Sequence, residues 1–547
     1  MLHDLRLHRA RLLRGLAFLR RNGVAGFLRR QALSITSEPP VAWRAYRDWL
    51  AREPRASRSS VAPLPRTSLL VPVFRPARGE LEALYESLRA QSHADFELCL
   101  ATDGLAERDV ARSLERLAAR DARVRLAPPA ARGGISAATN RAAAVATGAV
   151  VALLDQDDLL PPDALLVVAD AFAGDPELDL VYTDEDQLES WGLRDAPRFK
   201  PGPSPTLLLG VNYVMHLLAL RRSLFDALGG LRSAFDGAQD HDLALRGLER
   251  ARRARHLRRV AYTWRRSRAS VAGGAAAKPW AYEAGRRAVE DAARRRGLPL
   301  AAVRPTPVAG VYALEPAPRR DALACHVVFA RGADAPRWDA SFAAVRDELR
   351  VLASHDGRWP EADALAQGAL LVVAQDLAPD AEALRAAARL AAWPGIGALS
   401  FAARGRGPAP VHLGYSVDRA GRAEAVPHGG LAALCPHEVA TSCGGLLLFG
   451  PAVACRAVAF AGALLRDEDV ACLGLASFVG ERSTLFVPRP VLVSASPAPP
   501  RALDLTLSPL WPAVAAGLPD SFFEDGADRF CPRHPLLAAA GHPAPAR

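Results

Sequence analysis

Asp155, Asp157 and Asp158 form a carboxylate cluster that directly follows an apolar segment, residues 149–154. Such a segment predicts a strand that is buried on both faces, as in a parallel sheet covered by helices. Acidic side chains at its carboxyl end point into the crevice where open α/β sheets bind ligands. Because side chains alternate along an extended chain, Asp155 and Asp157 can face the same side. Two carboxylates so placed suit Mg²⁺ or Mn²⁺, which keeps waters and takes phosphate oxygens as its further ligands.

The meaning of this cluster depends on its surroundings, because a solvated turn or a helix cap after a strand carries the same residues. Upstream of the cluster, hydrophobic patterns of strand and helix alternate. They predict strands over residues 67–74, 96–104 and 124–126, and helices over 79–91, 108–120 and from 134 onward. This alternation predicts a parallel, right-handed βαβ sheet with the carboxylates at its carboxyl edge.

Short motifs follow one another in a fixed order along residues 67–297. They are Pro72 in the first strand, Asp103-Gly104, Gly134-Ile135-Ser136 with Asn140, Asp155-Gln156-Asp157-Asp158, Thr183-Asp184-Glu185-Asp186, Lys200-Pro201, Gln239-Asp240, Thr263-Trp264-Arg265 and Lys278-Pro279-Trp280. In this order they resemble the family 2 glycosyltransferases, in particular the bacterial branch that builds O-antigen and other surface polysaccharides. The resemblance implies an α/β fold of the GT-A type, a mostly parallel sheet flanked by helices that binds nucleotide-diphospho-sugars.

The resemblance also implies a donor site. Its residues would be Pro72, Asp103, Asn140, Asp155, Asp157 and Asp158. Asp103 would hydrogen-bond the nucleotide base, although an Asp before a glycine is also a common plain turn. Asp155 and Asp157 would hold Mg²⁺ or Mn²⁺, which neutralises the departing diphosphate, with Asp158 as close support.

Asp240 would be the general base that deprotonates the acceptor hydroxyl. A positioned carboxylate contributes roughly 10²–10⁴-fold in this role, and the one-step displacement inverts the anomeric centre without an enzyme nucleophile. The alternative for Asp240 is an N-cap of the following helix, and Asp242 is the nearest competitor for the base.

An acceptor side is implied as well. Its residues would be Asp184, Glu185, Asp186, Gln239, Trp264 and Arg265. The alternative for the first three is a solvated acidic loop, and the alternative for Trp264 and Arg265 is an anchor for the loop after a strand.

The chain departs from the family pattern at Thr102, Arg132, Gly202, Thr263 and the stretch 266–271. Thr102 stands where the family often has the first Asp of a pair, and Arg132 stands where Asn is common. Residues 266–271 lack a histidine that in relatives helps to ligate metal or diphosphate. These departures predict a recognisable site with weakened use of metal.

Composition predicts a globular protein of several domains. The chain has 547 residues, of which 23% are charged and 50% hydrophobic, with a net charge of +10 and a pI near 9.6. This charge suits anionic partners, namely a nucleotide-sugar donor and acidic lipid surfaces. Nucleic acid is excluded because the arginines form no recognition module with interleaved aromatic residues. Seven cysteines without paired spacing, and no signal peptide, predict a reducing cytoplasmic location.

The N-terminal region, residues 1–60, combines leucines and arginines in a basic amphipathic helical pattern followed by a linker. One interpretation is peripheral contact with the anionic cytoplasmic face of the inner membrane, where lipid-linked acceptors lie. The other is a helix that docks on the enzyme's own surface. The pattern alone does not separate lipid from protein.

The remaining domains are predicted from residue 66 onward: the catalytic domain over 66–298, a Pro-rich linker over 299–320, a second domain over 321–500 and a C-terminal tail over 501–547. The second domain resembles a degenerate GT-A-like copy, because residues 369–376 repeat the acidic strand with a single Asp. We expect no Asp-Gly after its second strand and therefore no donor binding. An unrelated α/β domain is the alternative.

The sequence thus predicts an inverting, metal-dependent glycosyltransferase. It would move a hexosyl or deoxyhexosyl group from a nucleotide sugar to a hydroxyl of a growing cell-surface polysaccharide or lipid-linked glycan. Two alternatives stay open: a catalytically inactive scaffold for glycan assembly, and a sugar nucleotidyltransferase. The latter carries a Gly- and Arg/Lys-rich loop after its first strand, of which residues 74–79 are a poor version. Donor and acceptor identity lie in pocket shape, which fold analogy does not supply.

Overall fold

A computed structural model describes residues 43–53, 55–104, 107–188, 193–265, 279–306, 308–330, 335–365, 368–373 and 380–404, and short segments between 415 and 514. Most of the basic N-terminal pattern and most of the predicted tail lie outside the described residues. No helix in the described ranges is long and apolar enough to span a bilayer.

The first sheet is the scaffold of the predicted catalytic domain. Its strands are β1 (Thr67–Val73), β2 (Phe96–Thr102), β3 (Val124–Leu126), β4 (Val150–Leu153), β5 (Leu178–Leu188), β6 (Arg194–Arg198), β7 (Leu218–Arg221) and β8 (Arg253–Arg265). They lie in the order β3-β2-β1-β4-β7-β5-β6, and β8 pairs with β5. β1 to β4 are mutually parallel, as are β5 and β8, whereas β7 runs antiparallel between β4 and β5. This mostly parallel α/β sheet confirms the predicted fold class.

Helices cover both faces of this sheet. They are α1 (Trp43–Arg52), α2 (Glu80–Arg89), α3 (Arg108–Arg120), α4 (Gly134–Val145), α5 (Ala164–Gly174), α6 (Pro205–Gly210), α7 (Arg222–Ala227), α8 (Gln239–Arg250) and α9 (Pro279–Arg295). Leu69 of β1 packs in one core cluster with α2 and α5, and Leu70 packs in the other with the alanines of α4. Burial on both faces is the reason that these strands are apolar throughout.

Helix α1 docks on the domain itself. Tyr46 is fully buried against Phe199 and Val260, and its hydroxyl donates to Asp186 Oδ2 at 2.7 Å. The ring of Trp49 packs edge-on against Phe199. The basic amphipathic pattern precedes α1 and lies outside the described part, so both of its interpretations stay predictions.

The segment predicted as a Pro-rich linker is ordered as a hairpin, and this corrects the prediction. β9 (Leu300–Pro305) and β10 (Tyr312–Pro316) pair antiparallel, so their backbone groups are satisfied by each other despite the prolines. Tyr312 is buried against α9, where its hydroxyl donates to the Tyr282 carbonyl at 2.9 Å.

The second sheet forms a separate α/β region. Its strands are β11 (Leu323–Phe329), β12 (Leu349–Asp356), β13 (Ala369–Val373), β14 (Ile396–Arg404), β17 (His437–Val439), β18 (Leu446–Phe449) and β19 (Ser483–Leu492), in the order β12-β11-β13-β18-β14-β19-β17. A small sheet of β15 (Tyr415–Val417), β16 (Arg422–Ala425) and β20 (Leu503–Asp504) lies apart from it. The helices are α10 (Asp339–Ala343), α11 (Ala362–Leu365), α12 (Ala381–Leu390) and α13 (Pro451–Ala454).

Six strands of the second sheet repeat the first in chain order, position and direction. β11, β12, β13, β14, β18 and β19 correspond to β1, β2, β4, β5, β7 and β8. In both sheets one late strand, β7 or β18, runs antiparallel between two earlier ones. An unrelated α/β domain would not reproduce this crossover, so the structure favours the degenerate copy over that alternative.

One expectation about the second region is wrong. Its second strand, β12, does end in an Asp-Gly pair, Asp356-Gly357. Gly357 has a φ of 62° and donates its backbone N–H to the Phe329 carbonyl at 2.8 Å. Asp103 of the first sheet makes the equivalent bond to Val73 at 2.9 Å. The residues after β13, including Asp376, lie outside the described segments.

Replacement of Gly285 by Ala should loosen the contact between α9 and the hairpin. A Cβ there would lie 2.0 Å from the Tyr312 hydroxyl oxygen and 3.0 Å from its Cζ, an overpacking that costs roughly 1–3 kcal/mol. Thermal unfolding measures the loss. Gly174→Ala is the matched helical control, because the nearest atom to its new Cβ would be 3.9 Å away. A second change, Tyr312→Phe, should recover part of the loss; no recovery would contradict the steric explanation.

Candidate functional site

The ends of β1 and β4 are tied together at the carboxyl edge of the first sheet. Gln156 Oε1 accepts from the Phe74 N–H at 2.8 Å, and Gln156 Nε2 donates to the Phe74 carbonyl at 2.9 Å. The residue between the two predicted metal ligands thus holds the turn in place. Pro72 lies two residues before Phe74. It pairs with Ala101 of β2 but lies beyond the last residue of β1 that pairs with β4, so its missing N–H costs no hydrogen bond to β4.

Asp155 and Asp157 present their carboxylates at this edge. The side chain of Asp155 is 49% exposed, and Asp157 is partly exposed with no hydrogen bond or ion pair to any residue that the structure describes. Within the described ranges no group of three or more His, Cys, Asp or Glu side chains is arranged to hold a metal ion. The predicted role of Asp155 and Asp157 as metal ligands stays a prediction.

His216 lies beside this pair, and the sequence analysis did not identify it. Its Nε2 is 3.7 Å from Asp155 Oδ2, and its ring stacks on Tyr262 with centroids 4.6 Å apart. The direction of strand β7 is the feature that could have identified His216. Because β7 runs antiparallel to β4 with Ala152 opposite Ala219, the same register extended past the strand end sets Asp155 opposite His216.

Glu185 holds His216 from the opposite side. Its Oε2 lies 3.2 Å from His216 Nδ1. Burial disfavours a charged imidazole, but this bond and the charges of Glu185, Asp155 and Asp158 outweigh burial and raise the pKa of His216 to about 9. The ring is therefore a cation at neutral pH, next to the predicted metal ligands.

Buried Lys200 supports the backbone around His216. Its Nζ donates to the carbonyls of Val214 and His216 and lies 3.6 Å from Glu185 Oε2. Burial lowers the pKa of Lys200 to about 8, although Glu185 opposes that change. Burial alone would raise the pKa of Glu185, but Lys200 and His216 hold it below its usual range. Opposite charges thus stabilise one another in a dry environment.

Asp158 has a different role from its two neighbours. It is fully buried, accepts from the Tyr262 hydroxyl at 2.5 Å and accepts from the Arg265 N–H at 2.8 Å. Burial and the charge of Asp155 raise the pKa of Asp158 to about 8, against these hydrogen bonds. Asp158 therefore braces the end of β4 against β8, and its predicted place in the donor site stays a prediction.

Asp103 binds the start of helix α4. Its Oδ1 accepts from the backbone N–H groups of Gly133 and Gly134 at 2.8 and 2.9 Å, which satisfies donors that a helix leaves unpaired. Arg132 lies with its Nε 3.6 Å from Asp103 Oδ2 and its guanidinium over the Phe74 ring. The predicted contact of Asp103 with a nucleotide base stays a prediction, and Arg132 is the residue that would share it.

A second carboxylate, Asp236, closes the same helix end. Its Oδ1 accepts from the Ser136 N–H at 3.2 Å. A Cβ on Gly134 would lie 1.9 Å from Asp236 Oδ2, and the φ of Gly134 is 87°. Glycine is therefore required at 134 on both counts. Sequence reasoning missed Asp236 because nothing local links it to a helix 100 residues earlier.

Asn140 clamps a distant loop. Its Nδ2 donates to the Leu231 carbonyl at 2.8 Å, and its Oδ1 accepts from the Leu231 N–H at 2.9 Å. A Cβ on Gly230 would lie 2.5 Å from the same oxygen. Since both polar ends are engaged with backbone, the structure gives Asn140 a scaffolding contact, and its predicted donor contact stays a prediction.

Asp240 and Asp242 differ sharply although both lie in the first turn of α8. Asp240 is partly exposed, accepts from Asn212 Nδ2 at 3.3 Å, and accepts from the His241 N–H at 2.8 Å. Asp242 is fully buried and binds Arg232 and Arg246, the latter through bonds of 2.9 and 2.7 Å. The structure therefore removes Asp242 as the competitor for the base. Gln239 accepts from the Gly237 N–H at 2.8 Å, which stabilises the turn before Asp240.

The predicted acidic loop is a strand, which corrects one of its two interpretations. Asp184, Glu185 and Asp186 lie within β5 and are buried. Asp184 accepts from the Lys200 N–H and lies 2.8 Å from His256 Nε2, while Asp186 binds Tyr46 and Arg194. Carboxylates at such depth need partners of this kind, and their predicted role on the acceptor side stays a prediction.

Trp264 and Arg265 are the last two residues of strand β8, and both of their predicted roles stay predictions. They pair with Gln187 and Leu188 of β5. The guanidinium of Arg198 lies 5.7 Å from the Trp264 ring centre. The stretch 266–271, in which a family histidine was sought, lies outside the described residues.

The family comparison matches the first of the two sheets. Residues 68–229 match the family model described as Glycosyl transferase family 2. This match confirms the family that the ordered motifs indicated.

Curated relatives match this chain over less than half of its length. It is 44% identical over 229 residues to the uncharacterized protein y4gI of Sinorhizobium fredii (strain NBRC 101917 / NGR234), which covers 42% of this chain and 25% of that protein. It is 38% identical over 276 residues to the O-antigen biosynthesis protein RfbC of Myxococcus xanthus, with 49% and 22% covered. It is 25% identical over 209 residues to a chondroitin synthase of Pasteurella multocida (strain Pm70), with 37% and 21% covered. The chain thus spans a quarter or less of each of these relatives.

Solved structures overlap less closely. The crystal structure of S. aureus TarS 1–349 aligns with a TM-score of 0.34 and 16% identity, covering 42% of this chain and 65% of that one. Mannosyltransferase PcManGT from Pyrobaculum calidifontis, in complex with GDP-Man and Mn²⁺, aligns with a TM-score of 0.32 and 20% identity, covering 52% and 85%. TM-scores this low carry no argument about the activity of this chain.

Replacement of Asp242 by Asn should unfold the protein at a markedly lower temperature. The change removes the charge partner of buried Arg246, whereas Arg232 keeps its ion pair with Asp291, and breaking a buried pair costs about 3 kcal/mol or more. The matched control is Asp226→Asn, because Arg222 and Asp226 form the same i,i+4 pair at the surface, where such pairs contribute little. Equal shifts of the two midpoints in thermal unfolding would show that burial is not the cause.

Proposed function

Residues 68–229 form a glycosyl transferase family 2 domain, and from this we propose that the protein is an inverting sugar transferase. It moves a hexosyl or deoxyhexosyl group from a nucleotide-sugar donor to a hydroxyl of a growing cell-surface polysaccharide or lipid-linked glycan. The similarity to an O-antigen biosynthesis protein supports the class of acceptor. The observation that carries the proposal is the position of Asp103, Asp155 and Asp157 at the carboxyl edge of the first sheet, together with a partly exposed Asp240 at the start of α8.

Contacts link these residues across the edge. Asp103 binds one end of α4, and Asp236, four residues before Asp240, binds the same end. Asn212 donates to Asp240, and its near neighbour in sequence, His216, approaches Asp155. A donor diphosphate at Asp155 and an acceptor hydroxyl at Asp240 would therefore meet in a single crevice, the place where open α/β sheets bind ligands.

The residues present fit Mg²⁺ or Mn²⁺. Asp155 and Asp157 offer hard oxygen ligands at partly exposed positions, and such cations take their other ligands from water and phosphate. A bound cation supplies electrostatic stabilisation of the charge that develops on the departing diphosphate. The ring of His216 lies 3.7 Å from Asp155 Oδ2, beside the place where such a cation would bind.

Asp240 is suited to take the proton of the acceptor hydroxyl. It is partly exposed, whereas Asp242 is committed to two arginines. The amide of Asn212 donates to Asp240 Oδ2, so the carboxylate is oriented. Proton removal by a positioned base makes a poor sugar nucleophile competent in a single displacement, and a single displacement inverts the anomeric centre.

We also propose that the protein works on the cytoplasmic face of the inner membrane, where lipid-linked acceptors would be presented. The support is the basic amphipathic pattern of the N-terminal residues, which is suited to anionic lipid. That segment lies outside the described residues.

Asp157→Ala should abolish metal-dependent donor turnover. The wild-type protein is expected to hydrolyse one member of a panel of nucleotide sugars slowly in Mn²⁺ or Mg²⁺, and chelation should stop it. Loss of one of two metal ligands should reduce turnover by at least tenfold, in line with the loss for partner residues of metal sites. Asp109→Ala, at a carboxylate that is 96% exposed on α3, is the control. Turnover that is indifferent to metal and to Asp157 would refute the metal role.

Asp240→Asn should block transfer while donor binding persists. The substitution keeps the shape of the side chain but removes the base, so transfer should fall roughly 10²–10⁴-fold. The assay follows radiolabelled sugar from the donor identified above into the glycolipid fraction of membranes from the producing bacterium. Calorimetry with the same donor provides the binding control. Full transfer by this variant would assign the base to another residue.

A further inference from the structure

Trp280 is an exposed tryptophan beside the candidate base. It lies in the first turn of α9 and is 56% exposed. Three other tryptophans of the described chain, Trp338, Trp359 and Trp393, are almost completely buried. Aromatic side chains are enriched at binding interfaces, so this exposed indole is a candidate contact surface.

The indole is held against the loop that leads to Asp240. A Cβ on Gly237 would lie 2.2 Å from Trp280 Cζ3 and 2.8 Å from Cε3. Gly237 has a φ of 93°, so its backbone is turned in a way that few other residues adopt. The backbone of this glycine therefore lies directly against the six-membered ring of the indole.

The loop is itself anchored on both sides. The Gly237 N–H donates to Gln239 Oε1 at 2.8 Å, and the preceding Asp236 accepts from the Ser136 N–H. A side chain that packs on such a loop keeps a defined orientation, so Trp280 can present a fixed surface instead of sampling many rotamers. This preorganisation reduces the entropy lost on binding.

A second contact places the first turn of α9 beside Asp240. The Tyr312 hydroxyl donates to the Tyr282 carbonyl in that turn at 2.9 Å. The ring of Tyr312 lies parallel to His241, the residue that follows Asp240, with centroids 6.2 Å apart. Tyr312 thus connects the start of α9 to the start of α8, and Trp280 and Asp240 border the same surface.

We propose that Trp280 is the stacking platform for a sugar unit of the acceptor glycan, an inference that rests on the proposed function. A pyranose ring has an apolar C–H face and hydroxyl groups on its rim. The apolar face packs on an aromatic ring, while the rim hydroxyls remain free to bond with water or protein. A sugar on the indole would hold the hydroxyl of the same or the next unit at Asp240.

The position favours the acceptor over the donor. The donor side is formed by the ends of β2 and β4, where Asp103, Asp155 and Asp157 lie. Trp280 instead contacts Gly237, in the loop that leads to Asp240. Stacking needs no particular hydroxyl pattern, so the platform would locate a glycan chain and leave the choice of linkage to groups nearer Asp240.

Saturation-transfer NMR with soluble oligosaccharides tests this platform without turnover. The probes are chitotetraose, maltotetraose, a chondroitin tetrasaccharide and a rhamnose-containing tetrasaccharide, each with the full-length protein. At least one should receive saturation from the wild-type protein on its ring C–H protons. Trp280→Ala should weaken its binding about tenfold, the equivalent of one aromatic contact. Trp280→Phe should retain part of the affinity.

Leu507→Ala serves as the matched control, because Leu507 is a similarly exposed apolar side chain, at 58%, in the second region. Its binding should equal that of the wild type. The proposal is overturned if no probe binds the wild type, or if binding survives Trp280→Ala unchanged. Wild-type donor turnover is measured separately: its absence would reject the proposed function, whereas turnover with Trp280-independent glycan binding would reject only the platform.

Discussion

The insertion of strand β7 between β4 and β5 is the constraint on which the rest of the site depends. β7 runs antiparallel to both neighbours, so its first residues lie beside the last residues of β4. This direction brings His216 to Asp155 and lets buried Glu185 of β5 hold the ring from behind. A parallel strand in the same place would start at the opposite edge of the sheet, and the histidine would be a strand length away from the carboxylates.

Buried acidic groups behind the crevice are held by cations or by hydrogen bonds. Lys200 and His216 lie against Glu185 and hold its pKa below the usual range, and Asp242 is paired with two arginines, as charges in a dry interior require. Asp158 lacks a close cation of this strength, and burial raises its pKa to about 8. Residues of one acidic motif therefore have different roles. Asp155 and Asp157 are partly exposed and available to a ligand, whereas Asp158 holds two strands together.

The second sheet shows how much of this arrangement follows from topology alone. Six of its strands keep the order and direction of the first sheet, including an antiparallel strand in the position of β7. It also retains an Asp-Gly turn after its second strand, at Asp356. Strand β18 (Leu446–Phe449) is apolar throughout. The crossover therefore belongs to the topology that the two sheets share.

The sequence by itself determined what is encoded locally. The alternation of apolar strands and amphipathic helices, the position of Asp155 and Asp157 after β4, and the Asp103 turn were all readable, because periodicity and turn residues act over a few positions. Tertiary structure alone decided the rest. It left Asp240 partly exposed and buried Asp242. Residues 184–186 became buried within β5, and Asn140 became hydrogen-bonded to the Leu231 backbone. His216, Asp236 and Trp280 came to lie beside the candidate site. Each of these contacts joins residues that are far apart in the chain. A local sequence pattern does not show which distant residue will pack against a given charged side chain.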